Sequence, residues 1–177
     1  MQYLLKITLK DTPLWRLIAV DGDTDLSHVA NLMSQSFDYE SAPCAFIVNG
    51  KKYSAGEAGD VKSLSELKTF DSFNLQNEDE FTFIHDENSS LEHHVLVMKA
   101  VDHLFCLMPS CLVGQGLVPK DRPLTYDAVR EYLDCDDTPS LDLREVTKRL
   151  RALGAKRKDQ DKPLQTLSAK PLDFKIK

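Results

Sequence analysis

The sequence predicts an α+β domain, and three observations carry that expectation. Residues 2–10 alternate, placing Tyr3, Leu5, Ile7 and Leu9 on one face, as a half-buried strand requires. Leu26, Val29, Ala30, Met33 and Phe37 recur at helical spacing and form one apolar stripe. Asn49-Gly50, set between the runs 44–48 and 51–54, is the strongest short-range hairpin signal. Strand, strand, helix and strand in that order suit a β-grasp-like mixed sheet with one helix packed across it, extended by a hairpin and a C-terminal helix pair.

The first strand ends at Thr12-Pro13, and Leu14 to Val20 reads as a second strand carrying the only tryptophan, Trp15. Asp21-Gly22-Asp23 marks a turn, and Asp25 is the expected N-cap of a helix running to about Phe37. Residues 56–60 read as a loop, and 63–69 as a short helix with Leu64 and Leu67 turned inward. Phe81 to Ile84 and Leu91 to Met98 form the further hairpin, and Leu104 to Leu107 the last short strand. Met108 to Pro123 holds three prolines and two glycines, so an irregular loop is expected. Thr125 to Leu133 and Leu141 to Leu153 are two helices, the second with Leu143, Val146, Leu150 and Leu153 on one side. From Gly154 no period persists. Residues 1–134 therefore read as the α+β domain, 135–153 as a C-terminal helix and 154–177 as a basic, flexible tail.

A chain of 177 residues can bury a core, and 42% hydrophobic with 28% charged residues is ordinary for a globular protein. No apolar run approaches the roughly 20 residues that cross a bilayer, and the N-terminus alternates instead of forming a signal-peptide core. Cys44, Cys106, Cys111 and Cys135 are too few and too irregular for a disulfide framework or a zinc ribbon. A cytoplasmic, reduced protein with no membrane partner follows. The net charge of −6 hides an asymmetry: Arg144 to the end carries eleven Lys+Arg against four Asp+Glu, the preceding residues eleven against twenty-four. A basic end docking on, or solvated beside, its own acidic domain is favoured over a nucleic-acid surface, because the net field repels nucleic acid.

Chemistry-bearing side chains concentrate in one stretch, Phe81 to Val97. His85, Asp86, Glu92, His93 and His94 supply the imidazole and carboxylate that zinc and related metals prefer. Strand geometry divides them: Glu92 and His94 share one face, while His93 joins Leu91 and Val95 on the apolar face. Structural pairing of His93, with Asp86 across the hairpin as the partner, is therefore favoured over a metal site or acid–base catalysis. Cys111 and Gly114 sit in the Pro/Gly loop; a nucleophilic thiol would need a base and a lowered pKa, so a small apolar filler is the simpler reading. Gly114-Gln115-Gly116 lacks the Lys-Ser/Thr and the helix of a phosphate cradle. Helices 125–133 and 141–153 could form a helix-turn-helix with Arg144, Lys148, Arg149 and Arg151 on DNA, but their connection is long and acidic, and a helical clasp is favoured.

Four stretches in order resemble the plasmid pRi ORF-3-like family, some of whose members carry the label of TnpR-type transposon passenger proteins. YLLKITLKDTPLWRLIAV is similar to the family's opening strand and its Pro-x-Trp-Arg strand. DLSHVANLMSQSFDYE resembles the helix ending in Phe-Gly-Trp-Glu. FTFIHDENSSLEHHV resembles a hallmark that runs Tyr-Asp-Phe-Gly-Asp, one residue, then Trp-Glu-His, with Asp86, Glu92 and His93 matching. MPSCLVGQGLVPKD resembles a Pro-x-Cys-x-x-Gly loop. Asn88-Ser89 and Leu91 depart from the hallmark, a family His-Leu-His-x-Phe stretch is lost at Pro43, Cys44 and Ala45, and Val118 replaces a second family cysteine. The resemblance implies the fold and no established activity. A serine set among several arginines, as a resolvase needs, is not found.

The sequence thus points to a non-enzymatic binding or interaction module with a protein partner, docked on an exposed strand edge, and with no cofactor. A link to mobile genetic elements is what the family label implies. The rivals are a metal-dependent hydrolase built on the 85–94 hairpin and a DNA-associated accessory protein using the basic C-terminal end.

Overall fold

The computed structural model describes residues 1–55, 69–86, 90–135 and 138–154. Seven strands form one sheet: β1 (Gln2–Leu9), β2 (Trp15–Asp21), β3 (Cys44–Val48), β4 (Lys51–Ala55), β5 (Glu80–His85), β6 (Leu91–Val101) and β7 (Ser110–Gln115). Their order across the sheet is β4-β3-β5-β6-β1-β2-β7. The helices are α1 (Leu26–Ser36), α2 (Tyr126–Leu133) and α3 (Leu143–Leu153), with a 3-10 turn at Phe70–Phe73. The α+β class stands. Every strand pairing is antiparallel, so the sheet is not mixed, and β5 and β6 separate the β1–β2 hairpin from the β3–β4 hairpin.

The apolar alternation of the first strand does what its period requires. Tyr3, Leu5, Ile7 and Leu9 are sealed in the core, facing Val29, Ala30, Met33 and Phe37 of α1 and its C-terminal turn. Asp25 is the N-cap residue, although its side chain makes no capping bond; the caps of α2 and α3 are made by Thr125 on Ala128 N–H (3.2 Å) and Asp142 on Arg144 N–H (2.9 Å). On β5 and β6 the same face carries Phe81, Phe83, His85, Leu91, His93, Val95 and Val97. Glu92 and His94 point the other way, where Glu92 meets Lys10 at 2.8 Å and His94 meets Glu80 at 3.2 Å.

Two expectations change. No strand occupies 104–107; the last strand lies at Ser110–Gln115, inside the stretch expected to be irregular. Its register against β2 slips between Leu17↔Val113 and Ile18↔Cys111, leaving Leu112 as an extra residue. That bulge puts Leu112 and Val113 both outward and erases the two-residue period by which a strand is recognised. A second bulge at Met98 lets β6 run on to Val101 beside β1. The short helix expected at 63–69 falls, apart from Thr69, outside the described residues.

α3 packs on β7 and on α1. Its Thr147 hydroxyl accepts from the Cys111 N–H (3.1 Å) and donates to the Cys111 carbonyl (3.2 Å), standing where the next strand would stand. The open edge of β7 is thus closed at that residue by a side chain.

Candidate functional site

The four stretches that carry the family resemblance meet at one place. Arg16 of β2 is 1% exposed, yet among the described residues no carboxylate bonds it. Its Nε donates to the Ser36 carbonyl at the end of α1 (2.9 Å), Nη1 to the carbonyls of Trp15 (2.8 Å) and Gln115 (2.9 Å), and Nη2 to that of Gly116 (2.8 Å). The guanidinium also lies 4.9 Å from the centre of the Phe37 ring. Burial lowers its pKa to about 10, and it stays charged at neutral pH, its charge shared among carbonyl dipoles that include the negative end of a helix. Gly114 makes room: a Cβ there would stand 2.8 Å from Arg16 Cδ and 3.0 Å from the Trp15 carbonyl. The Trp-Arg pair and the Cys-x-x-Gly stretch are therefore two halves of one packing arrangement.

Phe37 stacks on Tyr39 with ring centres 5.2 Å apart, and the Tyr39 hydroxyl reaches His93 Nε2 at 2.9 Å. His93 Nδ1 faces two carbonyls, Leu91 at 3.1 Å and Phe83 at 3.3 Å, so the ring proton resides on Nδ1 and Tyr39 donates to Nε2. Complete burial, with His85 nearby, pulls the pKa of His93 down to about 3. The partner expected for His93 was Asp86; Tyr39 takes that role, because Asp86 lies beyond the end of β5 with φ +55° and borders the cleft. Burial raises the Tyr39 phenol far above its usual range.

His85 lies beside this array, its ring centre 4.6 Å from that of Tyr39. Its Nδ1 is 3.0 Å from Ser34 Oγ and 3.6 Å from Cys44 Sγ; Ser34 and Cys44 are 3.5 Å apart, and the Cys44 thiol donates to the Ala42 carbonyl at 3.3 Å. Burial lowers the pKa of His85 to about 4, against the opposing pull of Asp86. Ser34 and Cys44 carried no signal in the sequence as partners of His85; only the register Cys44↔His85 and the helix above it bring them together.

Beyond His85 the surface opens into a cleft of about 800 Å³. The α1–β3 connection (38–43) forms one wall, His85 and Asp86 the floor, and residues 118–125 the other wall. Of the four hairpin residues singled out in sequence, His85 and Asp86 border this cleft, His93 is sealed behind it, and Glu92 is on the opposite face of the sheet, its N–H bound to the Tyr126 hydroxyl at 2.7 Å. Among the described residues no three His, Cys, Asp or Glu gather closely enough to hold a metal ion.

Cys111 is on β7, buried, with a thiol pushed up by burial, against the opposing effect of Arg16. That is the environment of a packing thiol and not of a nucleophile. On α3, Arg144, Lys148 and Arg151 are exposed, but Arg149 turns inward to the Gln35 carbonyl (3.3 Å) and to Asp38 (3.5 Å). Among the described residues no helix is long and apolar enough to cross a membrane.

A solved structure with the same fold is that of MM3350, a protein of unknown function from Methanosarcina mazei Go1, at TM-score 0.56 and 20% identity, covering 82% of this chain and 96% of that one. No curated protein matches the chain. The profile of the plasmid pRiA4b ORF-3-like proteins matches residues 1–149, from β1 into α3. The chain belongs to the plasmid pRiA4b ORF-3-like family.

Proposed function

We propose that this protein is a cytoplasmic, non-enzymatic binding module whose ligand is a small molecule seated in the cleft above His85. The observation that carries the reading is the cleft itself. Its volume of about 800 Å³ falls within the range of small-molecule sites, roughly 300–1,000 Å³, and three of the four family-like stretches supply its walls and floor. A tightly packed array of Arg16, Phe37, Tyr39 and His93 stands behind the floor and fixes its shape.

Binding is preferred over catalysis because of what the cleft can do with protons. A general acid or base works best with a pKa near the working pH. His85 is held at about 4, so at neutral pH it is a weak base. The Tyr39 hydroxyl is already spent on His93. A metal-dependent hydrolase would need Glu92 and His93 to join His85 and Asp86, and the strand places them on another face and in the core. Cys44, Cys106, Cys111 and Cys135 are too irregularly spaced for a disulfide framework, which supports a reducing compartment.

The test is a chemical-shift map against a library of small polar metabolites. Binders should perturb His85 and residues 118–125, and Ala42→Trp, which fills the cleft from its wall, should abolish those shifts without altering the melt. Perturbations confined to other surfaces would overturn the reading.

A further inference from the structure

We propose that the open face of the sheet, opposite α1, is the contact surface between two copies of this chain related by a two-fold axis. The cleft above His85 takes no part in it, so the inference stands apart from the ligand reading.

α1 packs on the core face of the sheet, and α3 on β7 and α1. An antiparallel sheet with one solvated face normally alternates apolar residues inward with polar residues outward. Here the outward positions break that alternation. Leu96, Lys6, Leu17 and Val113 stand in one row across β6, β1, β2 and β7, and Leu4 stands in the next row between Lys99 and Ala19. Trp15 lies on the same side, its ring centre 5.1 Å from the Lys6 ammonium. Met98, the extra residue of the β6 bulge, is 45% exposed, and in a central strand that exposure falls on the open face.

The connection from β6 to β7, residues 102–109, crosses the end of this face. Its Leu104 N–H donates to the side chain of Gln2, an outward position, and the outward Ala19 and Ser110 are buried there. From this connection Phe105 and Leu107 project into solvent, 106% and 73% exposed. Among the described residues, five of the six exposed large hydrophobic side chains belong to this face or its connection, so apolar exposure is gathered on one side of the molecule.

A second copy fits that surface in shape, area and charge. Projection and flat face lie side by side, so a two-fold axis between them seats Phe105 and Leu107 of each copy on Leu4, Leu17 and Leu96 of the other. Four strands about 4.8 Å apart and three outward rows roughly 7 Å apart cover on the order of 400 Å². With Phe105 adding about 150–250 Å², two copies bury on the order of 1,200 Å² together, where specific interfaces begin. A reversible dimer follows. Lys10 with Glu92 (2.8 Å) and His94 with Glu80 (3.2 Å) are paired within the face, so it offers little to a strongly charged partner. Lys99 and Asp102 are exposed beside it with opposite signs, and the same axis lets Lys99 of one copy meet Asp102 of the other.

The experiment is sedimentation velocity of the full chain from low micromolar to several hundred micromolar, at physiological salt to screen the net charge of −6. The mass should rise toward that of two chains with concentration. Phe105→Asp combined with Val113→Glu, both at exposed positions, should melt with the parent and weaken association by roughly thirtyfold or more. Lys148→Gln on α3 should leave association unchanged. In the dimer the methyl groups of Leu17 and Leu96 should be shielded from a paramagnetic cosolute. A chain that stays monomeric throughout would overturn the proposal; shielded methyl groups in that monomer would mean that the chain covers the face itself. Association that survives both substitutions would place the contact elsewhere and overturn it as well.

Discussion

The Tyr39 hydroxyl donates to His93 Nε2 at 2.9 Å in a part of the core where His93 is sealed and Tyr39 nearly so. The bond joins the segment just after α1 to the start of β6, and His93 completes it through Nδ1 to the carbonyls of its own hairpin. Every polar atom of the two side chains is used. Truncating His93 removes packing against Phe37, Phe83 and Tyr39 and strands a buried hydroxyl. His93→Ala should destabilise by about 3–4 kcal/mol, the sum of a cavity and an unsatisfied donor. Tyr39→Phe should cost less, about 1–2 kcal/mol, and the double variant less than the sum. Urea unfolding of the four proteins checks this; strict additivity would show that the bond carries no coupling.

Acid should unfold this protein through two of its three buried imidazoles, His85 and His93. In the unfolded chain each histidine titrates near its ordinary value, about 6.5. In the fold His85 titrates at about 4 and His93 at about 3. Between these limits the unfolded state binds more protons than the native state, so stability falls as pH falls. The sign is that of a depressed group: full stability above about 6.5, lost progressively toward 4 for His85 and toward 3 for His93. Each histidine contributes a slope of up to about 1.4 kcal/mol per pH unit. Denaturant midpoints from pH 7.5 down to 4.5 should decline, and His93→Phe should decline less steeply. A flat profile across that range would show that the rings are protonated without penalty.

Arg16 was silent in the sequence, and the reason is physical. An arginine on a strand beside the only tryptophan reads as a surface residue, because burial of a guanidinium is costly unless carbonyls from distant segments converge on it. Ser36, Gln115 and Gly116 do converge, across 20 to 100 residues of chain. Arg16→Met keeps much of the volume but leaves those carbonyls unpaired in the core. The expected loss is about 3 kcal/mol or more, and Arg16→Lys should recover only part of it, since an ammonium cannot reach in three directions from one plane. Thermal melts of the two variants decide; a methionine variant as stable as the parent would show that the carbonyls find water instead.

What the sequence made legible was what repeats locally. The period-2 face of β1, the stripe of α1, the Asn49-Gly50 turn and the division of Glu92 from His93 all follow from one segment's own spacing. What was hidden depends on two segments at once. The β7 strand was masked by a bulge, the His85–Ser34–Cys44 cluster by its origin in three elements, and the cleft by lying among connections that have no period at all.

Thr147 closes the β7 edge, and that role can be read directly. Its hydroxyl accepts from the Cys111 amide and donates to the Cys111 carbonyl, so Thr147→Val keeps the shape and removes both bonds. The cost should be about 1–2 kcal/mol. The sharper readout is hydrogen exchange: the Cys111 amide should exchange much faster in the valine variant while amides of β1 and β6 keep their protection. Unchanged exchange at Cys111 would show that burial, and not Thr147, protects that edge.

The basic face of α3 separates into side chains with and without structural duties, which makes the nucleic-acid question answerable. Arg149 is tied to the Gln35 carbonyl and to Asp38, whereas Lys148 pairs loosely with Glu145 at 3.8 Å and Arg144 and Arg151 face solvent. Lys148→Gln with Arg151→Gln should therefore leave stability within about 0.5 kcal/mol of the parent. Arg149→Gln should cost about 0.5–1 kcal/mol by freeing the end of α1 from α3. If α3 is a clasp and not a reading head, none of these changes should alter retention on duplex DNA at any ionic strength. A loss of binding in Lys148→Gln/Arg151→Gln that steepens at low salt would instead identify the exposed side of α3 as a phosphate-contacting surface, since each neutralised phosphate adds close to one unit to the salt slope.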